Sequence, residues 1–247
     1  MLLVAVFEWL QYIITNTKSL WGLIVKVLRI PSELTYDFIL NIHYAKRIPP
    51  ITYAYGLYDE NDLIGIVTYG TPLSHTLRQG IAGKQYEPIV LELNRLVITK
   101  KLKNSASYLI SNSIKMLPSP TIIVSYADLE MNHNGYVYQA TNFIYTGLSA
   151  SIKDYAVKGK EAKHHRTVYD ESRGKENRVQ FLKDKYGDDF YLKERSRKHR
   201  YIYIHANKKD KKEILSNLKY KVASYPKGES KLYEIKKSIS IQPNLFV

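Results

Sequence analysis

The stretch Thr121-Ile-Ile-Val-Ser-Tyr-Ala-Asp-Leu-Glu-Met-Asn-His-Asn-Gly-Tyr-Val-Tyr-Gln-Ala-Thr-Asn-Phe-Ile-Tyr-Thr-Gly147 decides how this chain folds. Its apolar start, Thr121 to Val124, reads as a strand running into Asp128. A polar turn with His133 and Gly135 follows, then a short helix with Tyr138, Gln139 and Asn142, then a strand from about Phe143. Upstream, Pro88 to Thr99 is a strand signal with Glu92, Asn94 and Arg95 embedded in apolar residues. Asn104 or Ser105 suits the cap of a helix reaching about Leu117, where Pro118 and Pro120 stop it. The order strand, helix, strand, helix, strand predicts an α/β (α+β) chain whose mixed sheet carries helices on its faces. Polar groups at the carboxyl end of a strand are where such sheets place chemistry, so residues 125–147 are the expected centre of function.

Working outward, Ser32 to Ala45 reads as a helix with Leu34, Phe38, Ile39 and Ile42 on one side. Ile51 to Leu57 and Leu63 to Tyr69 flank a polar turn and predict a hairpin. Thr71 to Gln85, polar and glycine-containing, reads as a mobile loop. Further on, Gly174 to Tyr186 predicts a charged helix, Arg200 to His205 a strand, and Asn207 the cap of a helix from Lys208 to Leu218. Tyr225 to Ser230 resembles a turn before a closing strand, Lys231 to Ile235, with a loose tail after Ile241.

The first thirty residues are apolar, but Glu8, Gln11, Asn16, Lys18 and Lys26 interrupt them. No run approaches the ~20 apolar residues of a spanning helix, and the pattern lacks the marks of a signal peptide. No membrane partner is expected. Residues 1–22 read as an apolar extension with a docking helix, residues 23–150 as a catalytic core, and residues 151–247 as a basic part completing the fold.

The 247 residues contain no cysteine, which excludes disulfides, thiolate metal sites and cysteine nucleophiles. Net charge is +14, and it is unevenly placed. Residues 1–150 carry 12 Lys and Arg against 10 Asp and Glu, whereas residues 151–237 carry 25 against 13. Lys193-Glu-Arg-Ser-Arg-Lys-His-Arg200 runs straight into Tyr201-Ile-Tyr203. Such a basic, aromatic-interleaved part fits a polyanion, whose affinity comes from Lys and Arg releasing counterions. Arg173, Lys175, Arg195, Arg197, Lys198 and Arg200 are its candidate contacts.

Asp128 and His133 suit either an acid/base pair or metal ligands, and His43-Tyr44 at a helix end could join them. Arg95 inside an apolar strand needs a partner, with Glu92, Asp128 or a substrate anion as the choices. Lys101-Leu-Lys-Asn-Ser-Ala-Ser107 opens a helix after a strand and suits a phosphate. No GxSxG, Walker loop, GxGxxG or HExxH occurs, so the chemistries those motifs serve have no direct support.

Several ordered blocks together resemble a known family. They are His43-Tyr44 before a proline-containing turn, Glu92-Leu-Asn-Arg-Leu-Val97, Asn104-Ser-Ala-Ser107, Ser125-Tyr-Ala-Asp128, His133 to Phe143, Tyr145-Thr-Gly147, Arg173-Gly-Lys175, Lys185-Tyr-Gly187 and Arg197-Lys-His-Arg-Tyr201. They span about residues 25–227 and resemble the Mom family of bacteriophage DNA adenine-modification proteins, similar in fold to GNAT-type N-acyltransferases. The resemblance implies a GNAT-like, mostly antiparallel sheet and transfer onto the exocyclic N6 of adenine in double-stranded phage DNA. The product would be a carbamoylmethyl-type adenine that shields DNA from restriction, made in the cytoplasm of the infected bacterium.

The residues it implies are His43, Tyr44, Arg95, Ser107, Asp128 and Tyr138, with His133 in the same block. His43 and His133 would be ligands of an iron ion, Tyr44 or Tyr138 a stacking surface, Asp128 a proton acceptor, and Asn104, Ser105 and Ser107 donor contacts. GNAT enzymes that bind acyl-CoA usually carry glycine in the loop corresponding to 101–107, and this chain has none there. The donor therefore stays open between acetyl-CoA and an aminoacyl-tRNA. A homodimer is compatible with DNA binding. Rival readings are a GNAT-like N-acyltransferase for a protein or small amine, and a non-catalytic nucleic-acid-binding protein.

Overall fold

The computed structural model describes residues 18–20, 23–100, 102–160 and 165–228. Residues 1–17 of the extension expected to hold a docking helix, the closing strand at 231–235 and the tail after Ile241 lie outside the described residues. Strands β1 (Lys18–Leu20), β2 (Leu23–Arg29), β3 (Tyr53–Asp59), β4 (Asp62–Gly70), β5 (Val90–Ile98), β6 (Thr121–Asp128), β7 (Ile144–Leu148) and β10 (Lys198–His205) form one sheet. Its order is β1-β2-β3-β4-β5-β6-β10-β7. Every pairing is antiparallel except β5 with β6. The basic part thus completes the sheet, because β10 inserts between β6 and β7. Lys18–Leu20, expected within the extension, is instead the sheet's edge strand.

Alternation along the strands makes two packed faces. Ile123 on β6 and Leu91 and Leu93 on β5 face the helix α2 (Ser105–Lys115), which buries Leu109, Ile110 and Ile114. Full burial of each such side chain contributes about 1.5–3 kcal/mol. Ile122 and Val124 face the other way, against Ile81 of α1 (His75–Ala82) and Ile214 of α6 (Lys208–Ser216). Asn207 caps α6 as expected, its Oδ1 accepting from Asp210 N–H at 2.9 Å.

Two further expectations are corrected. Thr71–Gln85 is not a loop: Ser74 Oγ accepts Leu77 N–H at 3.1 Å and starts α1, which buries Ile81 and Ala82. Ser32–Ala45 is not one helix. It is a 3-10 turn at Ser32–Thr35 and a π turn at Phe38–Ile42, closed by His43 N–H onto Phe38 O. Ile39 is buried there, while Leu34 and Ile42 are about half exposed (49% and 50%), so the apolar stripe does not all face the core. Finally, the stretch between β7 and β10 holds its own unit. Strands β8 (Lys153–Val157) and β9 (Phe190–Glu194) pair only with each other. With helices α4 (His165–Glu171) and α5 (Arg178–Tyr186), they enclose Val157, Val168, Leu182 and Phe190.

Candidate functional site

The site follows from a fault in the sheet. On the β4 side Thr68 pairs with Arg95 and Tyr69 with Leu93, which leaves Asn94 as one extra residue in β5. A bulge bends its strand. Asn94 fixes the bend by accepting from Thr68 Oγ1 at 2.6 Å and donating to Pro50 O at 2.9 Å. Gly70 is needed beside it, because a Cβ there would sit 1.9 Å from Pro50 O. Parallel pairing of β5 with β6 ends at Glu92 with Val124. Beyond it the strands diverge, and Ser125 Oγ donates to Leu93 O at 2.9 Å across the gap. The result is a wedge between the carboxyl ends of two parallel strands.

Glu92, Arg95, His43, Tyr44 and Tyr138 gather at this wedge. Burial raises the Glu92 carboxyl above the usual carboxylate range, against the attraction of Arg95 and Lys198. Arg95 donates to Asn94 O at 2.6 Å and Arg47 O at 2.7 Å, while its buried Nε has no hydrogen-bond partner among the described residues. Through Arg47 it anchors the turn that carries His43 and Tyr44. The His43 ring stacks on Tyr44 at 4.4 Å between centroids, and Tyr44 meets His133 edge-on at 6.3 Å. Tyr44 is half exposed (50%), so it lies at the mouth. His43 Nδ1 accepts from Ala45 N–H at 3.0 Å. Burial, with the Arg95 cation and neighbouring His133, lowers the His43 pKa to about 4, so its ring is neutral at physiological pH.

Tyr138 lies inside the wedge's aromatic wall, packed against Phe143 and Tyr201. Burial pushes its hydroxyl up to about 12, against a hydrogen bond with Ser125. Its ring is covered, so the stacking surface expected of Tyr44 or Tyr138 is available only at Tyr44.

Asp128 ends β6 as expected, but its acceptor positions are engaged. It takes hydrogen bonds from Ser196 Oγ at 2.7 Å and Glu130 N–H at 3.1 Å, and an ion pair from Lys198 Nζ at 3.1 Å. Burial would raise its pKa, yet the Ser196 and Lys198 contacts prevail and lower it. Asp128 O also accepts from Met131 and His133 N–H, so this residue organises the turn bearing exposed His133.

Asn104 adopts left-handed backbone (φ 62°, ψ 6°) at the start of α2. Asparagine is among the few residues that take the conformation glycine usually supplies, so the missing glycine does not prevent the turn. Ser105 is buried and Ser107 Oγ donates to Asn104 O at 3.0 Å, which leaves Asn104 as the exposed side chain of the three.

Among the described residues no three His, Asp or Glu side chains converge as metal ligands. His43 moreover sits beside the Arg95 cation. The donor set of the described residues does not fit an iron centre.

The basic candidates divide. Arg195 is bound to both Asp154 carboxylate oxygens, Arg200 donates to Thr146 and lies over the Tyr220 ring, and Lys198 holds Asp128. Arg173 pairs with exposed Asp170, Lys175 lies over the Phe181 ring, and Arg197 is exposed with its Nε on Ser149 O. Glu92, named from the sequence only as a choice of partner for Arg95, is a site group in its own right. Its signal was a carboxylate embedded in an apolar strand.

A family model described as the Mom protein family matches residues 24–227. The chain belongs to the Mom protein family. This Mom-family chain is 28% identical over 209 residues to the methylcarbamoylase Mom of Escherichia phage Mu, covering 82% of this chain and 84% of that one. Among solved structures it is similar to a GNAT family acetyltransferase from Elizabethkingia anophelis with acetyl-CoA bound (TM-score 0.40, 12% identity, 73% of this chain and 98% of that chain). A putative acetyltransferase from Acinetobacter baylyi is similar at TM-score 0.42 and 12% identity, over 76% of this chain and 95% of that chain. Likeness this distant transfers neither donor nor site residues. The mostly antiparallel mixed sheet between helices is the architecture expected of the chain. Among the described residues, no helix is long and apolar enough to cross a membrane.

Proposed function

We propose that this protein is a DNA-modifying transferase acting on the exocyclic N6 of adenine in phage DNA within the infected bacterium, giving an N6-carbamoylmethyl-type adenine that resists host restriction. The observation that carries the reading is the exposed Tyr44 ring, backed by neutral His43, at the mouth of a wedge that holds Glu92. Adenine N6 is inaccessible to this chemistry inside a duplex, so the base must be extruded. An extruded purine stacks on Tyr44 with its amine directed into the wedge.

In the transfer, the N6 lone pair attacks an electrophilic carbon of the donor. The N–C bond forms as the bond from that carbon to its leaving group breaks, and the leaving group keeps the electron pair. The attacking amine loses one proton. Glu92, with its raised affinity for protons, is the acceptor, and Asp128 holds Lys198 and the 129–133 turn in place. Arg95 positions the His43–Tyr44 turn. Asn104, Ser105 and Ser107 mark where the donor would be held.

The relative's name, methylcarbamoylase, supports the kind of group transferred. DNA from bacteria expressing the protein should resist endonucleases that cut at adenine-containing sites. Unchanged cleavage alongside soluble, folded protein contradicts the proposal.

A further inference from the structure

The inserted unit between β7 and β10 has no part in the chemistry above, yet it leaves the sheet at the site's end. Lys198, the first residue of β10, pairs with Asp128, the last of β6. The preceding Ser196 hydrogen-bonds Asp128 at 2.7 Å. Among the described residues, one face of the β8–β9 hairpin packs against helices. Tyr155, Val157 and Phe190 pack with the unit's helices. By strand alternation Asp154, Ala156, Tyr191 and Lys193 lie on the opposite face, where Lys193 is exposed and the other three are partly exposed. Asp154 there is neutralised by Arg195.

The chain leading from this face to the site therefore presents half-buried Tyr191 and exposed Lys193 and Arg197. The acidic residues Asp188 and Asp189 sit at the hairpin's far end. Lys193 and Arg197 are the exposed cations nearest Asp128, with exposed Glu194 between them and Lys158 at the far end beside Asp189.

We propose that this hairpin face at Tyr191 and Lys193, continued by Arg197 on the link to β10, is a docking surface for the phosphodiester backbone beside the base presented at Tyr44. The inference rests on the DNA reading above and goes further by giving the contact to this face rather than to the most lysine-rich element. That element is α6, with Lys208, Lys209, Lys211 and Lys212. It follows the far end of β10, a full strand away from Asp128. Lysine density alone favours α6. Position favours the hairpin.

The test is duplex binding by fluorescence anisotropy across a salt series, using the full-length protein and a labelled duplex of mixed sequence. Each phosphate contact contributes about 0.9 to the slope of log affinity against log salt. The Lys193→Ala/Arg197→Ala double variant should therefore lose about 1.8 from the slope. The Lys208→Ala/Lys212→Ala variant should keep the wild-type slope. The reverse pattern, or an equal loss in both variants, overturns the inference while leaving the DNA reading intact. Absence of salt-dependent duplex binding by the wild type overturns both. Because the replaced side chains are exposed, thermal melts should match the wild type. If a melt drops, the Gln substitutions at the same positions give the same slope test.

Discussion

Replacing Glu92 by Gln separates catalysis from stability more sharply than any other single change here. The side chain keeps its shape and loses its charge and basicity. A positioned acid or base contributes about 10²–10⁴-fold to rate, so the modification rate should fall by that factor, roughly 2.7–5.4 kcal/mol of barrier. Stability should move the other way or not at all. The Glu92 pKa is raised because burial disfavours its charged form, so removing that charge removes a cost. Asp128→Asn is the contrasting case. Its pKa is lowered by Ser196 and Lys198, so its charge contributes stability above the unfolded carboxylate pKa and that contribution is lost as pH falls. Hydrogen bonds to a charged group contribute about 1.5–3 kcal/mol, which for a chain of this size corresponds to roughly 3–12 °C in melting temperature. The assay pairs a thermal melt with single-turnover modification of duplex DNA. Glu92→Gln turning over within threefold of wild type would refute its role as proton acceptor. An unchanged melt for Asp128→Asn would refute its role as an anchor.

Three further outcomes follow from the geometry. Tyr44→Ala should weaken productive use of DNA by about 1–3 kcal/mol, the value of one base–aromatic stack, whereas Tyr44→Phe should be near wild type; equal effects in steady-state kinetics would remove the stacking role. Gly70→Ala forces a Cβ to 1.9 Å from Pro50 O and should destabilise by about 1–3 kcal/mol or more, read by urea unfolding; an unchanged midpoint would show that the bulge is not held as described. With pH, the rate should rise as Glu92 deprotonates, on a limb displaced above the ordinary carboxylate range, and Glu92→Gln should lose that limb. His43 bears on stability instead. Its folded pKa near 4 lies below the ordinary value of 6.5, so its contribution is present above pH 6.5 and is lost between about 6.5 and 4; His43→Gln melts should be flatter across that window.

The central strands and α2 were legible in the sequence because Val and Ile runs, an Asn-Ser cap and two proline stops agree with one another. α1 was not, because Gly80 and polar neighbours mask the two residues, Ile81 and Ala82, that bury it. β8 and β9 were not, because each is five residues long, carries charges and pairs only with the other. At the site, His43, Tyr44, Arg95 and Tyr138 were picked out one by one, but what joins them is the bulge at Asn94. A bulge depends on the register between two strands, which no single strand reveals. Asp128 was legible as a polar strand end; its capture by Ser196, 68 residues away, was not. Glu92 was read only as a partner for Arg95, since its raised pKa comes from burial in a wedge that exists only after folding.

The central claim is the target atom. Expressing the protein in a bacterium, digesting the cell's DNA to nucleosides and analysing them by mass spectrometry tests it directly. The account predicts a deoxyadenosine heavier by one carbamoylmethyl group, with fragmentation placing it on N6, and its loss in cells expressing Glu92→Gln. Unmodified deoxyadenosine in cells producing folded wild-type protein, or the group on another base, would contradict it.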